Sequence, residues 1–597
     1  MQSRIHHPTI LKPSALAIPS DETSTMPIHN REIATKLNRL ANLLEIEGAN
    51  SFRVRAYRKA ASTVRGYPRS MSDMLDDGEN LSKLPNIGDD LAEKIQTMVM
   101  TGELPLLQEV EDRTPPALSE LMKIEGLGPK RVRKLYEELD IQSLNDLEEA
   151  IKAGKVQKIS GFGNKSAEKI KQRLEKYSGN EQRTLLIDAE EIAGPLLDYL
   201  KDAKGIGNII ITGSYRRRKE TVGDLDILIT AKDSSPVMNH FIRYDDVEEI
   251  VSKGETRSTV YLRSGMQVDV RVVPEESYGA AKIYFTGSKA HNIALRKLGT
   301  KKGYKINEYG VFEDNERIAG ETEESVYECI DRKYIEPELR ENRGELDAAA
   351  DGSLPRLITL SDIRGNLHAH TKASDGHHSL KEMAKAAEKL GYEYLAITEH
   401  SRSLSIASGL DRDQLSRHLD EIDELNAQLE NIVLLKSSEV DILEDGRLDY
   451  PDDILKKLDF TVCAIHQKFD LSRKKQTERI LRAMDNPYFH VLAHPSGRLI
   501  NERDPYDTNL EKILEAAKER GCFIELNAQP QRLDLTDEGC KMAKDMGVRI
   551  SIASDAHSTS DLKHMRCGID QARRGWLEVK DVINCLPRNQ LLELFKR

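Results

Sequence analysis

The chain has 597 residues, 39% hydrophobic and 31% charged, with a formal net charge of −12. At roughly 150 residues per domain there is room for three to five domains, and every apolar run falls short of the roughly 18 residues a membrane helix needs, which excludes a spanning segment. Six cysteines stand singly between Cys329 and Cys585, with no C-x-x-C pair and no dense framework; this suits a reducing cytoplasm and excludes a disulfide scaffold.

Residues 1–26 lack a charged head, a long apolar block and a small-residue cleavage site, so they are expected to be a disordered leader rather than a secretory signal. Three related segments follow: LPNIGDDLAEKI from Leu84, IEGLGPKRVRKL from Ile124 and ISGFGNKSAEKI from Ile159. Each is an apolar start, a turn and a helix with apolar residues at helical spacing. The pattern resembles the helix-hairpin-helix motif. Asn86 and Gly88, Gly126 and Gly128, and Gly161 and Gly163 would allow left-handed backbone and let a DNA phosphate approach main-chain N–H groups. Main-chain dipoles then supply the attraction, so an acidic total charge matters less. One such turn is as readily a plain helical corner; three between Leu84 and Ile170 favour DNA binding. The expected domains are 27–103 and 104–182, both helical.

Beyond Tyr177 strands alternate with helices. GDLDILIT places Asp224 and Asp226 two apart, on one face of a strand, where they repel each other and where burying even one unpaired carboxylate costs on the order of several kcal/mol. A positive partner is expected. MQVDVRVV adds Asp269 in the middle of another strand-like run. Three carboxylates on adjacent strands would bind two hard divalent cations, which activate an attacking oxygen and stabilise a leaving one. Upstream, TGSYRRRKETVG offers Ser214, Arg217 and turn amides to a triphosphate. An Asp pair on an exposed edge strand is the plainer reading; the flanking Gly-Ser turn and arginines argue against it.

GSYRRRKETVGDLDIL, VDVRVVP and YFTGSKAHNIALRKLGTKKGYKINEYG, with AYRKAASTVRGYP earlier, resemble the family X DNA polymerases over about residues 27–340. The resemblance implies that Asp224, Asp226 and Asp269 are the metal ligands of a palm spanning 183–275, and that Gly213, Ser214, Arg217 and Gly223 contact the incoming triphosphate. In a nucleotide-selection subdomain at 276–341, Tyr284, Phe285 and Gly287 would lie against the sugar, with Asn292 and Arg296 near the base pair and template. It also implies an abasic-site lyase with Lys94 as the Schiff-base nucleophile. Two positions depart from the family pattern: Arg218 replaces a glycine after the double arginine, and Asp90 replaces a basic residue one turn before Lys94.

ENRGELDAAADGSLPRL, polar and rich in Gly and Ala, is expected to be a linker over 342–357. Eleven of the 16 histidines lie beyond it. NLHAHTKASDG, AITEHS, KSSEVDI, CAIHQ, VLAHPSG and IASDAHS are mostly apolar runs ending in His or an acid, as in a parallel barrel that presents ligands at strand ends. The set His368, His370, Asp375, His400, Glu439, His466, His494, Asp555 and His557 suits two or three Mn2+, Zn2+ or Fe ions acting on a phosphodiester. His377, His378, His418, His490 and His564 are assigned to core or surface. Residues 358–597 resemble the polymerase and histidinol phosphatase (PHP) domain, which implies 3'-5' exonuclease action and, further, abasic-site endonuclease or 3'-phosphatase action. Arg498, four residues after His494, is a candidate phosphate contact.

The expected fold class is therefore multidomain: helical helix-hairpin-helix domains, an α+β nucleotidyltransferase palm and a C-terminal distorted (β/α)7 barrel. The expected function is gap-filling DNA synthesis with Mg2+ or Mn2+ at the aspartates and 3'-end trimming at the barrel, by a cytoplasmic monomer whose partners are gapped or primed DNA and dNTPs. The rival reading is a DNA-binding repair scaffold carrying a small-molecule phosphoesterase.

Overall fold

The computed structural model describes residues 30–65, 67, 71–122, 124, 127–163, 167–171, 174, 183–404 and 407–596. The expected leader and Gly126 lie outside the described residues. The chain divides into two compact units, 1–114 and 115–597.

In the first unit the helices Asn30–Ile46 and Ser51–Arg65 bury Ile33, Leu37, Leu40, Leu44, Val54, Tyr57 and Ala61. Each fully buried valine, leucine or isoleucine among them contributes about 1.5–3 kcal/mol. The helix Asp89–Thr101 buries Leu91, Ile95 and Met98 and stops at Gly102, whose φ of 73° turns the chain out of the helix. The unit runs past the expected boundary at residue 103. Leu107 and Val110 of the helix Pro105–Glu111 are buried, and Arg113 donates to Glu47 at 2.7 and 3.1 Å.

The second unit begins with short helices. Pro129–Leu139 starts at a Gly128 N-cap with proline in its first turn, and Leu144–Lys152 is capped by the Ser143 hydroxyl. A five-stranded sheet follows, in the order Ile206–Ile211, Asp224–Ala231, Gln267–Val273, Arg257–Leu262, Val247–Lys253. Asp224–Ala231 and Gln267–Val273 are parallel and the other pairings antiparallel. The helix Leu186–Lys201 covers one face with Ala189, Ala193, Leu196 and Leu200.

Next comes a three-stranded antiparallel sheet, Lys305–Asn307, Gly310–Glu313 and Glu316–Ala319, with the helices Tyr278–Thr286, Lys289–Lys301 and Glu323–Cys329. Its core extends into the segment expected to be a linker. Residues 345–351 form the helix Glu345–Asp351, and Leu346, Ala349 and Leu357 are buried with Ile335 and Leu339. The alanines that gave the segment a linker-like composition are good helix formers, and here they pack.

The last domain is a parallel barrel. Gly365–Asn366, Tyr394–Ile397 and Val433–Lys436 pair in register, as do Glu439–Asp441, Val462–Ala464, Val491–Leu492, Phe523–Asn527 and Ile550–Ala553. The parallel bridges His400–Glu439 and Ala369–Ala556 join the two sets into a ring. The third barrel strand is broken at Ser437 and Ser438, so seven strand positions close the barrel. All four residues of Tyr394–Ile397 and all five of Phe523–Asn527 are buried, as expected when helices cover a parallel sheet. Among the described residues no helix is long and apolar enough to cross a membrane.

Candidate functional site

The pairing of Asp224–Ala231 with Gln267–Val273 sets Asp226 directly opposite Asp269. Asp224 lies two residues before Asp226 on the same strand face, and one carboxylate oxygen from each of the three falls within 4.8 Å of the others. Burial, reinforced by the charges of Asp224 and Asp269, pushes the Asp226 carboxyl up to about 7. Asp269 shifts the other way: burial opposes its charge, but hydrogen bonds from Thr259, Arg257 and Gln267 outweigh that and lower its pKa. One carboxylate is thus held ionised beside another that resists ionising, an arrangement that divalent cations relieve.

Gly213 closes one side of this cluster. Its φ is 61°, and a Cβ there would stand 2.7 Å from Asp226 Oδ2, so only glycine fits. Ser214 follows in the turn Gly213–Arg216, and Gly223 immediately precedes the strand that carries Asp224 and Asp226. Arg217 does not point freely into the site. Its Nε donates to Glu341 at 3.0 Å and its Nη1 to the Thr286 carbonyl, which places the guanidinium beside Gly287. Arg218 has a φ of 55°, in the left-handed region that favours glycine, and its side chain reaches Glu190 at 2.5 Å and Asp570 at 3.6 Å. Tyr284 is exposed, and the Arg271 guanidinium stacks over Phe285 at 4.5 Å. Asn292 donates to the Tyr284 carbonyl at 2.7 Å, while Arg296 lies one turn further along the same helix.

The barrel brings all nine predicted residues together. Glu439 is the hub: its oxygens lie 2.9 Å from His494 Nε2, 2.9 Å from His400 Nδ1, 3.2 Å from His466 Nε2, 3.4 Å from His368 Nε2 and 3.5 Å from His370 Nε2. Asp555 reaches His370 and His368 at 3.3 and 3.5 Å, and Asp375 reaches His400 and His557 at 3.4 Å each. Three overlapping groups result: His370, Asp375, His400 and His557; His368, His370 and Asp555; His400, Glu439 and His466. The buried Nδ1 atoms of His370, His400 and His494 have no hydrogen-bond partner, although a carboxylate oxygen lies close to the first two. Lone pairs converging without hydrogen bonds fit cations as their common partner. His494 and Asp555 hold φ values of 28° and 48°, backbone strain of the kind that collects at functional sites.

The carboxylates of the cluster favour protonation of several of its rings. Burial works against charge on His400, His466 and His557, yet the carboxylates around them raise these rings to about 10, 9 and 9. Burial and the neighbouring His557 and His400 lower His370.

Several partners were not singled out from the sequence. Glu525 accepts from His368 Nδ1 at 2.6 Å and from the His494 amide at 2.7 Å; Asp441 lies 3.1 Å from His466 Nδ1; Glu399 lies 3.4 Å from His418 Nε2. Each is an acid inside or ending an apolar run, the same signal that flagged Asp224 and Asp226. Arg271, two residues after Asp269 on the same strand face, is another. Arg498, the expected phosphate contact, is committed elsewhere: Glu220 takes its guanidinium at 2.6 and 3.1 Å.

In the hairpin turns, Asn86 and Gly161 hold φ values of 60° and 95°, whereas Gly88 and Gly128 have ordinary φ values of −85° and −75° as helix N-caps. A Cβ on Gly88, Gly128 or Gly163 would meet nothing within 4 Å. Neither backbone angle nor internal packing requires glycine at Gly88 and Gly128; both are helix N-caps, a position glycine suits, and the space beside them is open. Lys94 forms an ion pair with Asp90, one turn earlier on its own helix.

A nucleotidyltransferase-type sheet with a three-carboxylate cluster, joined to a barrel filled with metal-ligand side chains, defines a protein built around two phosphoryl-transfer centres. Family models match along the chain: a helix-hairpin-helix domain at 28–104, a SAM-like helix-hairpin-helix tandem at 118–176, the DNA polymerase beta palm at 189–279, the DNA polymerase beta thumb at 281–341 and the PHP domain at 366–529. The chain is 36% identical over 574 residues to the DNA polymerase/3'-5' exonuclease PolX of Bacillus subtilis (strain 168), covering 96% of this chain and 100% of that protein. It is 28% identical over 358 residues to DNA polymerase lambda of Arabidopsis thaliana, covering 54% of this chain and 64% of that one. A probable phosphatase of Thermoanaerobacter sp. (strain X514) is 34% identical over 207 residues, 33% of this chain and 79% of its own length. The chain belongs to the bacterial family X DNA polymerases that carry a PHP domain.

Proposed function

We propose that the protein fills short gaps in DNA by nucleotidyl transfer at Asp224, Asp226 and Asp269, and trims 3' ends at the barrel cluster. The observation that carries this reading is the pairing of Asp226 opposite Asp269, with Asp224 beside them and Gly213 packed against Asp226. Mg2+ or Mn2+ bound there would supply charge to the attacking 3'-oxygen and the leaving pyrophosphate. The chain's own contribution is position. The three carboxylates hold the cations, Ser214 and the amides near Gly213 and Gly223 receive phosphate oxygens, and Tyr284, Phe285 and Gly287 present a wall to the sugar. Asn292 holds that wall through the Tyr284 carbonyl, and Arg296 meets the template.

In the barrel, His368, His370, Asp375, His400, Glu439, His466, His494, Asp555 and His557 hold two or three Mn2+, Zn2+ or Fe ions. Glu525 and Asp441 orient His368 and His466. Exonuclease action is the main role, with abasic-site endonuclease or 3'-phosphatase action open to the same centre. The glycine turns hold the DNA backbone.

Extension and degradation of a gapped duplex with Mg2+ or Mn2+ tests both centres. Asp226→Ala should lose synthesis and keep degradation, and His370→Ala the reverse; joint loss in either variant would sink the two-centre reading. Lys94 is the amine for lyase chemistry once it leaves Asp90. Borohydride trapping on an abasic oligonucleotide should disappear in Lys94→Ala, and trapping that survives there rejects the assignment.

A further inference from the structure

Arg217 shares its carboxylate with an arginine of the barrel. Arg574 ends the barrel helix Met565–Arg574 and is 3% exposed. Its Nη1 donates to the Arg217 carbonyl at 2.8 Å and to Glu341 Oε1 at 3.2 Å, and its Nη2 donates to Asp537 at 2.6 Å. The Glu341 oxygen that it meets is the one that accepts from Arg217 Nε at 3.0 Å. One oxygen, contributed by neither the palm nor the barrel, thus sits between a palm guanidinium and a barrel guanidinium.

This sharing matters when Arg217 is asked to bind phosphate. To reach a triphosphate, its guanidinium has to leave Glu341. Lys219 Nζ lies 4.0 Å from the same oxygen, and a largely buried carboxylate left with that distant partner alone would still oppose the exchange, because a poorly paired buried charge is unfavourable. Arg574 removes that obstacle by remaining on Glu341, and through the Arg217 carbonyl it also fixes the backbone from which the side chain swings. We infer that Arg574 is a positioning residue for nucleotide binding at the polymerase centre, supplied by the PHP barrel.

The rest of the helix supports the same role. Arg566 pairs with Glu190, which also accepts from Arg218, and Gln571 approaches Glu220 at 3.4 Å. The helix therefore lies along residues 217–220, which follow the turn Gly213–Arg216. Its opposite side is seated on the barrel: a Cβ on Gly568 would stand 2.7 Å from both Ala528 and Ile552, and Ile552 belongs to the strand that leads to Asp555 and His557. The helix is thus anchored on a strand serving one centre while its arginines hold the turn serving the other.

The inference rests on the polymerase reading, and full-length Arg574→Ala and Arg574→Lys variants separate the two. In single-nucleotide gap filling, Arg574→Ala should raise the KM for dNTP about tenfold with kcat changed less than about threefold, and Arg574→Lys should recover part of the loss. The rate of 3'-end degradation should stay within about twofold of the parent in both. Glu341→Gln, which leaves no charge to abandon, should make the Arg574→Ala effect on KM smaller when the two are combined. A parental dNTP KM in Arg574→Ala, or equal loss of synthesis and degradation in both arginine variants, overturns the inference. A parent protein that incorporates no nucleotide overturns the polymerase reading instead.

Discussion

At the scale of the residue, Asp226 carries the conflict on which synthesis depends. Its carboxyl is raised from the ordinary aspartate value to about 7 by burial and by two neighbouring carboxylates. Below about pH 4 the folded and unfolded chains both hold this proton and no penalty exists. Between about 4 and 7 the folded form binds more protons than the unfolded one, so metal-free stability falls as pH rises, and above 7 the penalty is complete. Asp226→Asn should therefore stabilise the metal-free protein by about 1–3 kcal/mol above pH 7 and by almost nothing at pH 4, while abolishing synthesis. Urea unfolding in chelator at the two pH values measures it; an equal gain at both would contradict the electrostatic cause.

The hairpin helices show how an element can be shaped for something outside the protein. Gly128 caps Pro129–Leu139 with an extended backbone and open space where a side chain would go. Valine can occupy that backbone but caps a helix less well than glycine, so Gly128→Val should lower stability by no more than about 1 kcal/mol. The added methyls would stand where a phosphate approaches the helix amides, and affinity for duplex DNA should drop several-fold. Fluorescence anisotropy with a labelled duplex decides it, and unchanged affinity would remove this turn from the DNA-binding surface. Elsewhere, element ends are tied by buried ion pairs. Glu323, at the start of Glu323–Cys329, is lowered to about 2 because Arg216, Arg340 and Lys282 outweigh its burial. That stabilisation is present above the ordinary glutamate range and is lost as pH falls towards 2.

For the molecule as a whole, the metal-free barrel substitutes protons for cations. With His400, His466 and His557 raised to about 10, 9 and 9, the imidazolium–carboxylate pairs contribute fully below the ordinary histidine value of about 6.5 and fade as pH rises through 9 to 10. A ring nitrogen must lose its proton to bind a metal. Loading the barrel at pH 7.5 should therefore release about two to three protons per cluster, and metal affinity should weaken as pH falls. Calorimetric titration of Mn2+ in buffers of different ionisation enthalpy reads that number directly; an observed enthalpy independent of buffer would mean the rings are already neutral.

Much of this was open to inspection before any fold was known. Carboxylates at Asp224 and Asp226 and imidazoles at His368 and His370 break apolar runs at a strand's two-residue period, so local pattern alone announces a site and its chemistry. The acids Glu525, Asp441 and Glu399 broke such runs too, but the histidines they support meet them only in space, so nothing in the sequence marked them as supports. The helix Glu345–Asp351 was hidden because a small-residue composition serves a linker and a packed helix equally, and only burial against Ile335 and Leu339 separates them. Arg217, Arg498 and Arg574 were beyond reach for another reason. A guanidinium binds a phosphate or a carboxylate with the same geometry, and its choice rests on which partner the folded chain delivers: Glu220 to Arg498 across 278 residues, Glu341 to Arg217 and Arg574 together. Residue types and their spacing therefore determine which chemistry this protein can perform. Long-range packing decides which charges stay free to perform it, because Coulomb attraction and desolvation depend on distance and depth, and neither is written in the order of residues along the chain.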